Sequence, residues 1–107
     1  MGRGWIKLYR DMLDWGWYSD TSTKVVFIHL IITANHKDKE WQGITVKRGS
    51  LATSIRKLAN ELNLSPNTIK RALKNLEKTG EIKKKSTQRY TIITVNNYEK
   101  YQSVENR

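Results

Sequence analysis

The chain has 107 residues, 20 Lys+Arg against 10 Asp+Glu, no Cys and a formal net charge of +10 at pH 7. A length of this order builds one small domain. The lack of cysteine excludes disulfides and thiolate metal sites within it, and no stretch approaches the roughly 18 consecutive apolar residues of a membrane span. The opening Met-Gly-Arg-Gly-Trp-Ile holds no apolar run of the signal-peptide kind.

The first periodic segment is short. Trp5, Leu8, Tyr9, Met12 and Leu13 recur at helical spacing and predict an amphipathic helix over about residues 7–14, stopped by Gly16. Trp15, Trp17 and Tyr18 follow, and in this weakly charged half they read as core or interface aromatics rather than a base-stacking platform. Next, Ser19-Asp-Thr-Ser-Thr supplies capping side chains. Val25 to Ala34 is the most apolar run in the chain; its β-branched residues would suit a strand, but its length and the caps favour a buried helix over about 22–36.

Lys37 to Gly43 reads as a polar loop, and Ile44 to Thr53 as short extended strands around a turn at Gly49. Ser54 is placed to cap a helix from Ile55 to Leu62 whose inward residues are Ile55, Leu58, Ala59 and Leu62. After the short link Asn63-Leu64, Ser65-Pro66 opens another helix, with Ser at the N-cap and Pro at the first helical position, where its missing N–H costs nothing. That helix runs to about Thr79, with Gly80 as its stop. Glu81–Lys85 and Tyr90–Val95 predict strands flanking Ser86-Thr-Gln-Arg, a hairpin with a basic tip. The polar-aromatic stretch from Asn96 closes a single domain of residues 1–102, and residues 103–107 are expected to be a disordered tail.

The charge follows this division. Residues 1–40 hold six basic and five acidic side chains, residues 41–107 fourteen and five, and residues 54–90 alone ten and three. A clustered basic surface is the footprint of a nucleic-acid partner, although a solvated face has the same composition. What favours the first reading is the context: two helices joined by a tight turn and followed by a basic hairpin, an α+β winged helix-turn-helix with three to four helices, a small antiparallel sheet and a C-terminal wing. On the 66–79 helix, Ile69, Ala72, Leu73 and Leu76 share one face, while Asn67, Lys70, Arg71, Lys74 and Lys78 fall on the other. The N-terminal part of such a helix approaches base edges, making Asn67, Thr68 and Arg71 candidate readers, with Ser65 placed to bond a phosphate. Lys70, Lys74 and Lys78 are candidate backbone contacts, joined by Lys83, Lys84, Lys85 and Arg89 of the wing.

Gly4-Trp-Ile-Lys-Leu-Tyr-Arg, Trp15-x-Trp-Tyr, Ala34-Asn-His-Lys, Trp41-Gln-Gly-Ile-Thr-Val-Lys-Arg-Gly-Ser, Lys57-Leu-Ala-x-Glu-Leu and Asn97-Tyr-Glu-Lys-Tyr together resemble the N-terminal winged-helix domain of phage and prophage replisome organisers, relatives of the DnaD-type primosome proteins. The resemblance covers about residues 4–102. It implies duplex or single-stranded DNA binding at an origin, self-association as a homodimer or higher oligomer, and a replication role beside a helicase or its loader. It also implies a further, helicase-facing domain, and this sequence is expected to carry the first domain without it. Trp5, Trp15, Trp17 and Tyr18 are then the candidate self-association interface. A transcriptional regulator on the same fold and a protein–protein assembly module are the alternatives.

Other signals carry less. His29 and His36 lie seven apart without Cys or an ordered carboxylate set, so packed or capping histidines are expected rather than a metal site. Asp11 and Asp14 read as surface charge. Asn63-Leu-Ser65 matches a glycosylation acceptor but falls in a tight turn. No glycine-rich phosphate loop is present, so no enzyme and no cofactor are expected, nor a membrane partner, and the expected location is cytoplasmic, at the nucleoid.

Overall fold

A computed structural model describes residues 4–102 of the chain; the predicted tail 103–107 lies outside the described residues. Three helices, α1 (Thr21–Thr33), α2 (Ile55–Leu62) and α3 (Pro66–Lys78), pack with two small antiparallel sheets. One sheet is a hairpin of β1 (Lys39–Trp41) and β2 (Ile44–Val46); the other has three strands, β3 (Ser50–Thr53), β4 (Ile82–Ser86) and β5 (Thr91–Val95), in the order β3-β5-β4. This is the winged helix: α2 and α3 form the helix-turn-helix, and β4–β5 form the wing. Among the described residues no helix is long and apolar enough to cross a membrane.

The local chemistry explains the helix limits. Ser54 Oγ accepts from the Lys57 N–H at 3.1 Å, and Ser65 Oγ from the Thr68 N–H at 3.1 Å, each satisfying an orphan donor of a first turn. Asn63 bends the connection in a left-handed conformation (φ 56). At the end of α3 the Gly80 N–H reaches the Glu77 carbonyl and the Glu81 N–H the Leu76 carbonyl, a Schellman closure that needs the left-handed φ of 84 at Gly80. Val26, Leu30, Leu58, Ile69, Ala72, Leu73, Leu76 and Ile93 are fully buried and join all three helices to the inner face of the sheet. Burying such side chains, at about 1.5–3 kcal/mol each, is the main driving force.

Three sequence expectations are corrected. Residues 7–14 do not form an α-helix; only Arg10–Asp14 coil, as a 3-10 turn. Ile6 bridges to Gln102 and the Lys7 N–H bonds the Tyr101 carbonyl at 2.8 Å, so the start of the segment is held extended against the end of the 3-10 turn Tyr98–Tyr101. The helix expected over 22–36 ends at Thr33, because the Asn35 N–H goes to the Ser50 carbonyl and the Asn35 carbonyl accepts from Gly49. The loop expected at 37–43 contains β1, since Gln42 (φ 48) and Gly43 (φ 82) form a tight two-residue turn that pairs Trp41 with Ile44.

Segments that carried the family resemblance converge at one structural node. Arg48 binds Glu99 with two parallel bonds of 2.6 and 2.7 Å, lies 5.2 Å from the Tyr98 ring centre, and donates to the His36 carbonyl. Gly49, between Arg48 and Ser50, has φ 83, and a Cβ there would lie 3.1 Å from Tyr98 Cβ and Cγ. Gly49→Ala therefore meets both backbone strain and a ring that cannot retreat, and is expected to cost about 1–3 kcal/mol, read as a lower denaturation midpoint at unchanged m-value.

Candidate nucleic-acid interface

Helix α3 is clasped on two sides, and the clasp defines what is left for a ligand. Toward α1, a row spaced at i, i+4 and i+8 is polar. Arg71 Nη1 donates to Asp20 Oδ2 at 2.9 Å, Asn75 Nδ2 to Thr23 Oγ1 at 3.1 Å, and Thr79 Oγ1 accepts from Trp17 Nε1 at 2.8 Å. Asp20 is also the N-cap of α1, accepting from the Thr23 N–H at 3.2 Å. The hydrogen bond from Arg71 is the largest effect and outweighs burial, which opposes it; with the weaker help of Thr23 it holds the Asp20 carboxyl below its ordinary 3.8. On the opposite side of α3, Lys84 Nζ of β4 lies 3.7 Å from Glu77 Oε1.

Between these two edges lie Asn67, Lys70, Lys74 and Lys78, all exposed. Among the described residues none of these three lysines enters an ion pair. Arg71 is placed otherwise: it is exposed, but its guanidinium is committed to Asp20 at the margin of the face. Ser65 and Thr68 are occupied by the cap, their hydroxyls sharing a 2.8 Å hydrogen bond.

Strand alternation divides the wing cations. Ile82 is buried toward the helices and Lys84 lies on the same side, whereas Lys83 and Lys85 stand opposite Thr94 and Ile92 on the reverse face. The wing turn is tight: the Thr87 N–H reaches the Tyr90 carbonyl at 2.8 Å, and Thr87 Oγ1 accepts from the Arg89 and Tyr90 N–H groups at 3.2 Å each. Arg89 is thus carried on a hydrogen-bonded, exposed tip.

The aromatic candidates are mostly spent inside the fold. Trp15 packs on Phe27 at 5.1 Å and donates to Glu81 at 3.1 Å, Trp17 holds Thr79, and Tyr18 lies under Lys24 at 4.0 Å. Trp5 is 56% exposed, and so are Leu8 and Leu13 in large part. His29 bridges α1 to α2 through Glu61 at 3.1 Å. Sequence spacing does not mark Asp20 and Asn75 as the residues that orient α3, since their role depends on which turn of α1 meets α3.

A family model described as "Helix-turn-helix domain" matches residues 21–82, more than half of the chain. The chain belongs to the helix-turn-helix domain family. The matched span runs from the first residue of α1 to the first of β4 and so contains the whole α3 face and, of its clasp, the Asn75–Thr23 bond, while Asp20 and Trp17 lie just before it. Membership of a helix-turn-helix family speaks for DNA as the ligand of that face. No curated protein and no solved structure matches the chain.

The clasp has a pH signature. A carboxyl whose folded pKa is depressed contributes stability above its unfolded value, here near 3.8, and that contribution is lost as pH falls through the lower folded value. Asp20→Asn keeps a good capping residue and removes the charge. Its unfolding free energy is expected to fall less steeply than the parent's below about pH 3.8, measured by denaturation across pH 2 to 6.

Proposed function

We propose that the chain is a DNA-binding winged helix-turn-helix module of a phage-type replication initiator, with α3 in the major groove and the wing along the backbone. The observation that carries the DNA reading is the open strip of Asn67, Lys70, Lys74 and Lys78, bounded by the Arg71–Asp20 pair on one side and Lys84 of the wing on the other. An α-helix fits the major groove, and Asn is suited to reading an adenine edge, with Lys serving phosphates. Arg71 and Thr68 are further candidate readers; Arg71 would have to leave Asp20 to reach a base. Ser65, Lys83, Lys85 and Arg89 are candidate phosphate contacts. The replication role rests on the resemblance of the flanking segments to replisome organisers. A transcriptional regulator would use the same surface and is equally compatible with family membership. In either role the chain is read as a binding module without catalysis, self-associating through the exposed Trp5, Leu8 and Leu13 region rather than through Trp15 and Trp17.

The test is affinity against salt for duplex and single-stranded DNA. The parent is expected to bind with a steep negative slope of log affinity on log salt. Lys74→Ala should weaken all sequences alike and reduce the slope by about one. Asn67→Ala should cost about 1–3 kcal/mol at the preferred sequence and less elsewhere. Removal of Lys83, Lys84 and Lys85 together should lower both affinity and slope. Variants that bind like the parent at every salt concentration would overturn this reading. A defined palindromic site bound at nanomolar affinity would select the regulator, and salt-insensitive DNA binding beside a strong oligomer in sedimentation would select an assembly module.

A further inference from the structure

Neither the core nor the α3 face explains the β1–β2 hairpin. Its two faces are unlike. Glu40 and Thr45 are exposed and hydrogen-bonded to one another at 2.6 Å. The opposite face carries Trp41 and Ile44, both half-buried, and Val46, which is 2% exposed, with the exposed Lys39 at its end. That apolar face meets the wing: the Trp41 and Tyr90 rings pack edge to face, with centres 5.0 Å apart and planes at 88°.

The position of Tyr90 gives this contact its meaning. Thr91, Ile93 and Val95 are buried toward the helices, so Tyr90, Ile92 and Thr94 form the row on the sheet face turned away from α3. β3 and β4 both end opposite Thr91, so only the turn of residues 87–90 lies beyond the three-stranded sheet. Tyr90 stands where this turn joins the three-stranded sheet, next to the exposed Arg89. With one cation, Lys39, and one anion, Glu40, the hairpin brings no net positive charge to a polyanion.

Resting on the DNA-binding reading above, we infer that Trp41 is a positioning residue for the wing: the β1–β2 hairpin braces the wing from the side opposite α3 and holds Arg89 at a fixed angle to the α3 strip. The brace acts through one aromatic contact, and DNA binding depends on it because a tip free to swing must be ordered again on each encounter.

The test uses Trp41→Ala, Trp41→Phe, Tyr90→Leu, Arg89→Ala and the Trp41→Ala/Arg89→Ala double variant. Two readouts are taken: amide hydrogen exchange of the wing without DNA, and duplex affinity against salt. Trp41→Ala is expected to speed exchange across residues 83–90 while α3 keeps its protection. It should weaken binding about 2- to 10-fold, the range of one aromatic pair, and lower the salt slope by about one. Trp41→Phe should restore both, Tyr90→Leu should reproduce the loss, and Trp41→Ala should add nothing in the Arg89→Ala background. Parental wing exchange in Trp41→Ala, or an undiminished loss in the Arg89→Ala background, would overturn the brace. A parent without salt-dependent DNA binding would instead overturn the DNA reading, and the exchange measurement would still decide whether the hairpin holds the wing.

Discussion

The polar row along one edge of α3 constrains the rest of the molecule. Arg71, Asn75 and Thr79 recur every fourth residue and meet Asp20, Thr23 and Trp17 in turn. Apolar burial alone would allow α3 some rotation about its axis, because hydrophobic contact is non-directional. Three directed hydrogen bonds on one side remove that freedom. Once the rotation of α3 is set, so is the strip of Asn67, Lys70, Lys74 and Lys78 that it turns outward. Asp20 serves both helices, capping α1 and holding Arg71, which ties the start of one element to the orientation of another.

A second constraint works from the other side. The wing is held to α3 by burial of Ile82 and by the Lys84–Glu77 pair, and on its reverse face it meets the β1–β2 hairpin through Tyr90 and Trp41. The ion pair is exposed and weak by nature, so the apolar and aromatic contacts carry most of the alignment. The cations of the wing do not form one continuous surface with those of α3. Lys84 lies beside the helix, Lys83 and Lys85 lie behind the sheet, and Arg89 stands at the tip. A duplex lying along α3 would meet these charges at different distances, so they contribute unequally to binding.

The node around Arg48, Gly49, Tyr98 and Glu99 shows what a set of recognisable segments can be for. These residues resembled those of a replication family, yet their contacts are with one another, and they close the C-terminal segment onto the turn before β3. Their physical role is to hold the frame on which α3 and the wing are mounted. A family resemblance in such segments reports a shared architecture, and the role in replication needs support from the exposed strip and its ligand.

From the sequence alone, the helices α2 and α3, their Ser caps, the Pro66 entry, the Gly80 stop and the wing strands could all be read within a residue or so. These features depend on neighbours a few positions away, and their signals are local. The apolar and polar faces of α3 were legible for the same reason, since helical periodicity converts spacing into direction. Only the tertiary structure decided that Arg71 is held by Asp20, that Trp15 and Trp17 are spent on Phe27, Glu81 and Thr79, that residues 6–7 are extended against Tyr101 and Gln102, and that Trp41 stands against Tyr90. All of these but the Trp15–Phe27 packing pair residues about fifty or more positions apart. Periodicity says which way a side chain points from its own backbone, and contact depends on what the folded chain brings to meet it.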